Sequence, residues 1–403
     1  MWALLAGTTL ALAGDLSGYA EVRGQLSGGL EGRPWETAEV FRPTLEVQPH
    51  ERVRLSMTVQ AEWQQGRYRV EEGYALAEAQ LGSVLEAAAC SLDAPPRYDS
   101  ADDLLGVERL YVDLYLPRVD VRVGRQALNW GSAQFFNPTD LFQQVFVAQP
   151  WAQRVGVDAI RATVPIGERH QVVGVAALTR DLSEGRFAVK GTVNALETDV
   201  SALAGATTAG DVYAGWDLRG QLVLGWWVEG RTSLTEPAPV VVAGLDYSVP
   251  VLDRLVFAGQ YLYDATGLED PALYTLAAKG LTVPMPDCLQ DELEAEGVAS
   301  GPQRFTIGRH YAMLYGQVAA LDVLGGTVAA VMNLQDRSTL LVPTFTWTPG
   351  QAWSLNVGAQ LPLGEGELSP GPLLTTIPLG PTRFDVSGLI PEWTAFAYVR
   401  YAL

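Results

Sequence analysis

Arg52-Val53-Arg54-Leu55-Ser56-Met57-Thr58-Val59-Gln60-Ala61-Glu62-Trp63 alternates polar and apolar side chains without a break. A β-strand turns successive side chains to opposite faces, so the six polar residues share one face and Val53, Leu55, Met57, Val59, Ala61 and Trp63 the other. Strands of soluble sheets run to about five or six residues, whereas a strand tilted across a bilayer needs about nine to eleven. Length selects a membrane-crossing strand, and Trp63 suits its interfacial end.

The same period recurs on either side. Glu21, Arg23, Gln25 and Ser27 alternate with Val22, Leu26 and small residues, and Arg109, Tyr111, Asp113 and Tyr115 oppose Leu110, Val112, Leu114 and Leu116. Alternation predicts strands at 18–30, 36–48, 51–63, 107–117, 119–129, 154–165, 170–179, 186–194, 198–205, 211–219, 221–230, 239–249, 254–263, 305–320, 326–334, 338–348, 352–361 and 392–402. The connections at 64–106, 130–153, 264–304 and 362–391 are long and all fall on one side. Every connection on the other side is short. This parity gives the fold class: all-β, a transmembrane antiparallel up-and-down β-barrel of about 18 strands (16–18), with long extracellular loops and short periplasmic turns. The last strand alternates to the final residue, Leu403, where such strands usually end in Phe.

Composition agrees. The 403 residues are 48% hydrophobic, yet no apolar run of about 18 residues suggests a membrane helix. Met1 to Gly14 is one apolar run ending in Ala11-Leu12-Ala13, which reads as a secretory signal with an A-x-A site and no basic n-region; residues 15–403 are then a single outer-membrane barrel domain. A net charge of −19 opposes nucleic-acid binding. Cys90 and Cys288 cannot build a disulfide framework or a zinc site. They fall one in each of two long acidic loops, 64–106 and 264–304, and form either a clasp between the loops or two separate thiols. The loop carboxylates themselves read as solvated surface or as calcium bridges to lipopolysaccharide.

No catalytic motif occurs, and His50, His170 and His310 have no metal-ligand spacing. The expectation is a protein without enzyme activity, cofactor or metal. Charge is instead concentrated on the polar parity of the early strands: Arg23, Arg42, Arg52, Arg54, Arg109 and Arg122 accompany Glu21, Glu46, Glu62, Asp113 and Asp120. A charge facing lipid costs about 2–4 kcal/mol near the midplane, so this parity faces the lumen. The arrangement is either a conduit whose arginines attract anions or an internal salt-bridge lattice. Arg125 and Arg161 break the parity, which predicts a bulge or strand end near each.

One segment is too apolar for a solvent loop. Gly124-Arg125-Gln126-Ala127-Leu128-Asn129-Trp130-Gly131 runs on through Phe135-Phe136-Asn137-Pro138-Thr139-Asp140-Leu141-Phe142 to Phe146 and Val147. Asn137 and Pro138 read as the N-cap and first position of a short helix reaching about Val147. Trp130, Phe135, Phe136, Asn137, Pro138, Asp140 and Phe142 would form a constriction folded into the lumen, or a cap on the barrel rim.

The Gly124-Arg125-Gln126 strand end, the Asn129-Trp130-Gly131 corner and Asn137-Pro138-Thr139-Asp140-Leu141-Phe142 together resemble a family of uncharacterised bacterial outer-membrane barrels. They are also similar to alginate-export-type porins. The resemblance implies a monomeric barrel of about 18 strands in contact with outer-membrane lipids and lipopolysaccharide, passing small solutes or an anionic polysaccharide. The function expected is an outer-membrane channel of porin or exporter type; the alternative is a non-conducting structural or assembly barrel.

Overall fold

The computed structural model describes residues 14–28, 35–66, 104–142, 153–154, 156–177, 185–249, 255–271, 274, 306–321, 323–369, 376–379, 382–385 and 392–403. The first strands are β1 (Gly14–Gly28), β2 (Trp35–His50), β3 (Val53–Gly66), β4 (Leu104–Tyr115), β5 (Asp120–Gln126), β6 (Val157–Ile166) and β7 (His170–Ala177). The middle of the chain supplies β8 (Arg186–Ala195), β9 (Thr198–Thr207), β10 (Val212–Gln221), β11 (Gly225–Ser233), β12 (Pro239–Ser248) and β13 (Leu255–Asp264). The last third holds β14 (His310–Leu321), β15 (Leu324–Asn333), β16 (Thr339–Trp347), β17 (Trp353–Leu363), β18 (Thr376–Leu379), β19 (Thr382–Asp385) and β20 (Trp393–Ala402). β18 and β19 form a separate small hairpin; the other strands make one 18-stranded sheet.

Each strand pairs antiparallel with its sequence neighbour, β17 pairs with β20, and β20 closes the ring on β1 through a register running from Tyr19↔Ala402 to Gly28↔Trp393. Closure leaves no edge, so the strands' backbone groups find partners within the sheet, as a hydrocarbon surrounding demands. The four long connections lie on one side, as strand parity predicts. The weakly patterned strands expected at 186–194 and 198–205 are present as β8 and β9.

Pairing separates two faces. Leu55, Met57, Leu110, Val189, Phe257, Leu314, Val328 and Phe345 are exposed and lie on the outward parity. Trp35, Trp63 and Trp393 ring the long-loop end of that face, and Trp347, Trp353 and Tyr401 the short-turn end. These are the aromatic belts of a bilayer-spanning wall. Glu21, Arg23, Arg42, Ser56, Thr58, Glu62 and Asp113 occupy the other parity and are buried inside.

Several expectations need correction. Arg52 is exposed in the β2–β3 turn and belongs to no strand. β5 stops at Gln126 instead of running to 129, because the chain turns inward there. The leader expected at residues 1–14 stands apart from these, because residues 1–13 lie outside the described residues. Arg161 keeps the lumen parity: it stands directly opposite Arg122. Arg125 does break it, facing outward at the end of β5 in a 2.8 Å ion pair with Asp158. The irregularity lies across the sheet, where the β3–β4 register shifts between Thr58 and Val59 and leaves Glu108 as the extra residue.

The two-faced wall predicts an asymmetry. Val328→Arg, on the outward face between Gly316 and Pro343, should cost about 2–4 kcal/mol in urea equilibrium folding into lipid vesicles. Thr327→Arg, next along the strand but inward, should cost less than half of that. Equal costs would contradict the assignment of faces.

Candidate functional site

The inward turn after β5 is written in glycine. At Gly124 φ is +122°, and a Cβ there would overlap the Leu110 carbonyl oxygen on β4. Only glycine accommodates both. Gln126 then donates from Nε2 to the Ala159 carbonyl at 3.0 Å, fixing the point where the chain leaves the wall.

Beyond it, Leu128, Trp130, Leu141 and Phe142 pack in one buried cluster with Ala159, Val175, Ala177, Ala188 and Leu203 of β6 to β9. Trp130 and Phe142 meet edge to face, with ring centroids 5.3 Å apart. Further along, Ala133, Phe135 and Phe136 pack against Val240, Val242, Leu262, Tyr311, Met313 and Val331 of β12 to β15. A segment whose two ends touch β6 to β9 while its middle reaches β12 to β15 can do so only from inside the ring. Burying each large apolar side chain is worth roughly 1.5–3 kcal/mol, enough in sum to hold an irregular chain on the wall.

Between the two apolar contacts lies a polar clasp. Glu229 of β11 is fully buried, and its carboxylate accepts the backbone N–H groups of Ser132 (2.9 Å), Ala133 (3.2 Å) and Thr139 (3.1 Å). Converging main-chain donors make a nest that suits an anion. Gly131, at φ +88°, closes the nest: a Cβ there would overlap Asn137 Oδ1 and Thr139 Oγ1. Asp217, directly opposite Glu229 on β10, accepts the Ser132 hydroxyl and an ion pair from Lys190 Nζ at 2.9 Å. On β13, Gln260 Oε1 accepts the Gln134 N–H at 3.2 Å while its Nε2 donates to the Phe136 carbonyl at 2.9 Å.

The helix expected from Asn137 is absent from the described residues 137–142. Asn137 Oδ1 does accept the Asp140 N–H at 3.2 Å, the first bond of a cap, but Thr139 N–H goes to Glu229 and Phe142 N–H to Asp140 Oδ1 at 3.3 Å. The wall outcompetes the helix for these donors. Asp140, also buried, pairs with Arg154. Trp130, Phe135, Phe136, Asn137, Pro138, Asp140 and Phe142 are thus brought together on the inner wall.

The opposite arc, β20 and β1 to β6, carries the arginines. Arg400 donates to Glu21 at 2.6 Å, Glu21 lies 3.5 Å from Arg23, and Arg23 reaches Glu62 at 2.9 Å. Arg42 pairs with Glu108, Arg54 with Glu46, and Arg122 with Asp113 at 2.6 Å. Tyrosines shelve these cations: Arg400 stands 4.2 Å from the Tyr19 ring centre and Arg122 3.9 Å from that of Tyr111. Arg109 and Arg161 point to the same side and form no salt bridge among the described residues, although Asp113 and Asp120 act on Arg161, and Arg109 Nε is buried and unpaired. Cys90 and Cys288 lie outside the described residues. Among those residues no group of His, Cys, Asp and Glu could hold a metal.

One arc of the lumen therefore carries the arginine–carboxylate lattice with its tyrosine shelves, and the other the pinned segment with Glu229, Asp217 and Asp246 beside the cations Lys190 and Arg231. Comparison with known proteins matches the barrel. OccK5 (OpdH) of Pseudomonas aeruginosa aligns over 96% of this chain and 98% of its own at TM-score 0.55 and 9% identity. The chain shares that protein's barrel fold. OpdQ of the same organism aligns over 96% and 99%, at TM-score 0.55 and 9% identity. At such identity the likeness is one of fold. No family model and no curated protein sequence matches the chain.

The wall-side half of the site, Glu229, Asp217, Lys190 and Gln260, escaped the sequence reading. Its trace is the inward parity of β11, Trp227-Val228-Glu229-Gly230-Arg231, where one acid is flanked by bulky and small residues. Glu229→Ala should leave the barrel folded, shown by its heat-modifiable gel mobility, while cleavage within 131–142 by added protease accelerates about tenfold or more. Unchanged resistance would show that the apolar contacts alone hold the segment.

Proposed function

We propose that the protein is a porin-like channel through which small polar solutes cross the outer membrane by passive diffusion, anions being favoured. The observation that supports it is the arginine arc facing the pinned segment. Arg23, Arg42, Arg54 and Arg122 form part of a salt-bridge lattice that stiffens the wall, which leaves Arg109 and Arg161 as the cations of this arc that would draw anions. A low-dielectric wall strengthens the field of such charges. Export of an anionic polysaccharide, implied by the resemblance at residues 124–142, would use the same arc. Fastening of the segment by Glu229 and Gln260 favours single small solutes. The barrel works as a monomer among outer-membrane lipids and lipopolysaccharide, with no catalytic role.

Planar-bilayer recordings of the purified protein under a potassium chloride gradient test this. The expected reversal potential is that of a weakly anion-preferring pore, and Arg161→Gln should move it toward cation preference without closing the channel. Absence of any pore current would favour the non-conducting structural barrel.

A further inference from the structure

The extracellular loop after β17 reaches the same cluster that seats the lumen segment. Leu368 packs against Val240, Val242, Leu262, Tyr311, Met313 and Val331, beside Ala133, Phe135 and Phe136. One residue earlier, Glu367 accepts hydrogen bonds from the Tyr311 hydroxyl and, at 2.7 Å, from Asn333 Nδ2. The Tyr311 ring meets Phe136 edge to face, with centroids 5.8 Å apart. Tyr311 thus touches the loop with its hydroxyl and the lumen segment with its ring. We propose that loop 364–369 is a proton-sensitive brace of the lumen segment, with Tyr311 as the positioning residue that couples Glu367 to Phe136. This deepens the channel reading by naming a regulation of the same segment.

The surroundings of Glu367 set the sign. Tyr311 and Asn333 donate to its carboxylate from β14 and β15, Tyr274 lies beside Asn333 at 3.3 Å, and Asp336 accepts the Glu367 N–H at 2.7 Å. Among the described residues, the Gly308 N–H also acts on Glu367, and none of the principal groups that do so is a cation. Burial first, and the Asp336 charge second, raise its carboxyl from an ordinary value of 4.5 to about 7, against the hydrogen bonds that lower it. The docked loop therefore binds a proton that the undocked loop has released. Docking is fully supported below the ordinary carboxylate range and weakens as pH rises toward about 7. Ionised Glu367 faces Asp336 in a buried site, the loop lifts, and Leu368 uncovers the cluster on which Phe135 and Phe136 rest.

Hydrogen exchange of the intact protein in detergent micelles, corrected for intrinsic rates, tests the brace without assuming a channel. Between about pH 5 and pH 8, peptides covering 364–369 and 131–139 should lose protection together, by roughly tenfold. Glu367→Gln should stay protected at both pH values. Tyr311→Phe, which keeps the ring, should loosen 364–369 at both pH values and leave 131–139 no longer responsive. Independent behaviour of the two peptides, or an unaltered pH response in Glu367→Gln, would overturn the proposal. Bilayer recordings separate the two readings: current fluctuations that rise with pH in the wild type and not in Glu367→Gln support both, whereas coupled exchange without any current keeps the brace and removes the channel.

Discussion

A chain in hydrocarbon cannot leave a backbone N–H or C=O without a partner, and this protein meets that constraint by pairing β20 with β1. Everything else follows from the closed ring. Closure defines an inside, so alternation along each strand sorts charged and polar side chains into the lumen and aliphatic and aromatic ones toward lipid. An 18-stranded ring leaves more room than its wall side chains fill. That space is what allows the chain leaving β5 to fold inward and stay there.

The lumen segment is held by two kinds of contact that depend on each other. One apolar cluster takes Leu128, Trp130 and Phe142 at its two ends and another takes Phe135 and Phe136 in its middle out of water. The clasp on Glu229 satisfies main-chain donors that an irregular, buried stretch would otherwise leave bare. The two do different work: apolar packing holds the chain on the wall but sets no register, and a buried carboxylate without the nest would be costly. Glu229 and Asp217 sit opposite one another on neighbouring strands, a destabilising arrangement unless each has its own donors. Lys190, Ser132 and the nest supply them.

The barrel was legible because its information is local and repeated. Arg52–Trp63 shows the period, and the alternation of short and long connections shows the topology even where β8 and β9 are weakly patterned. Boundaries were less legible. Arg52 looked like a strand residue because it continues the alternation, yet the β2–β3 turn claims it. The site divided along the same line: the apolar segment at 128–142 announced itself by composition, whereas its wall-side partners Glu229, Asp217 and Gln260 lie 85 to 126 residues away, and only registers accumulated over intervening strands bring them near. The expected helix failed for that reason. Asn137 and Pro138 carry a valid local start, and a distant carboxylate takes the donors.

The central claim is that residues 128–142, pinned to the inner wall, narrow a water-filled pore. Polymer exclusion tests it most directly: single-channel conductance is recorded with uncharged polyethylene glycols of graded size, for the wild type and for a variant in which 132–140 is replaced by a short Gly-Ser linker. The account predicts that larger polymers enter the variant than enter the wild type. An identical size cut-off in both proteins would contradict it.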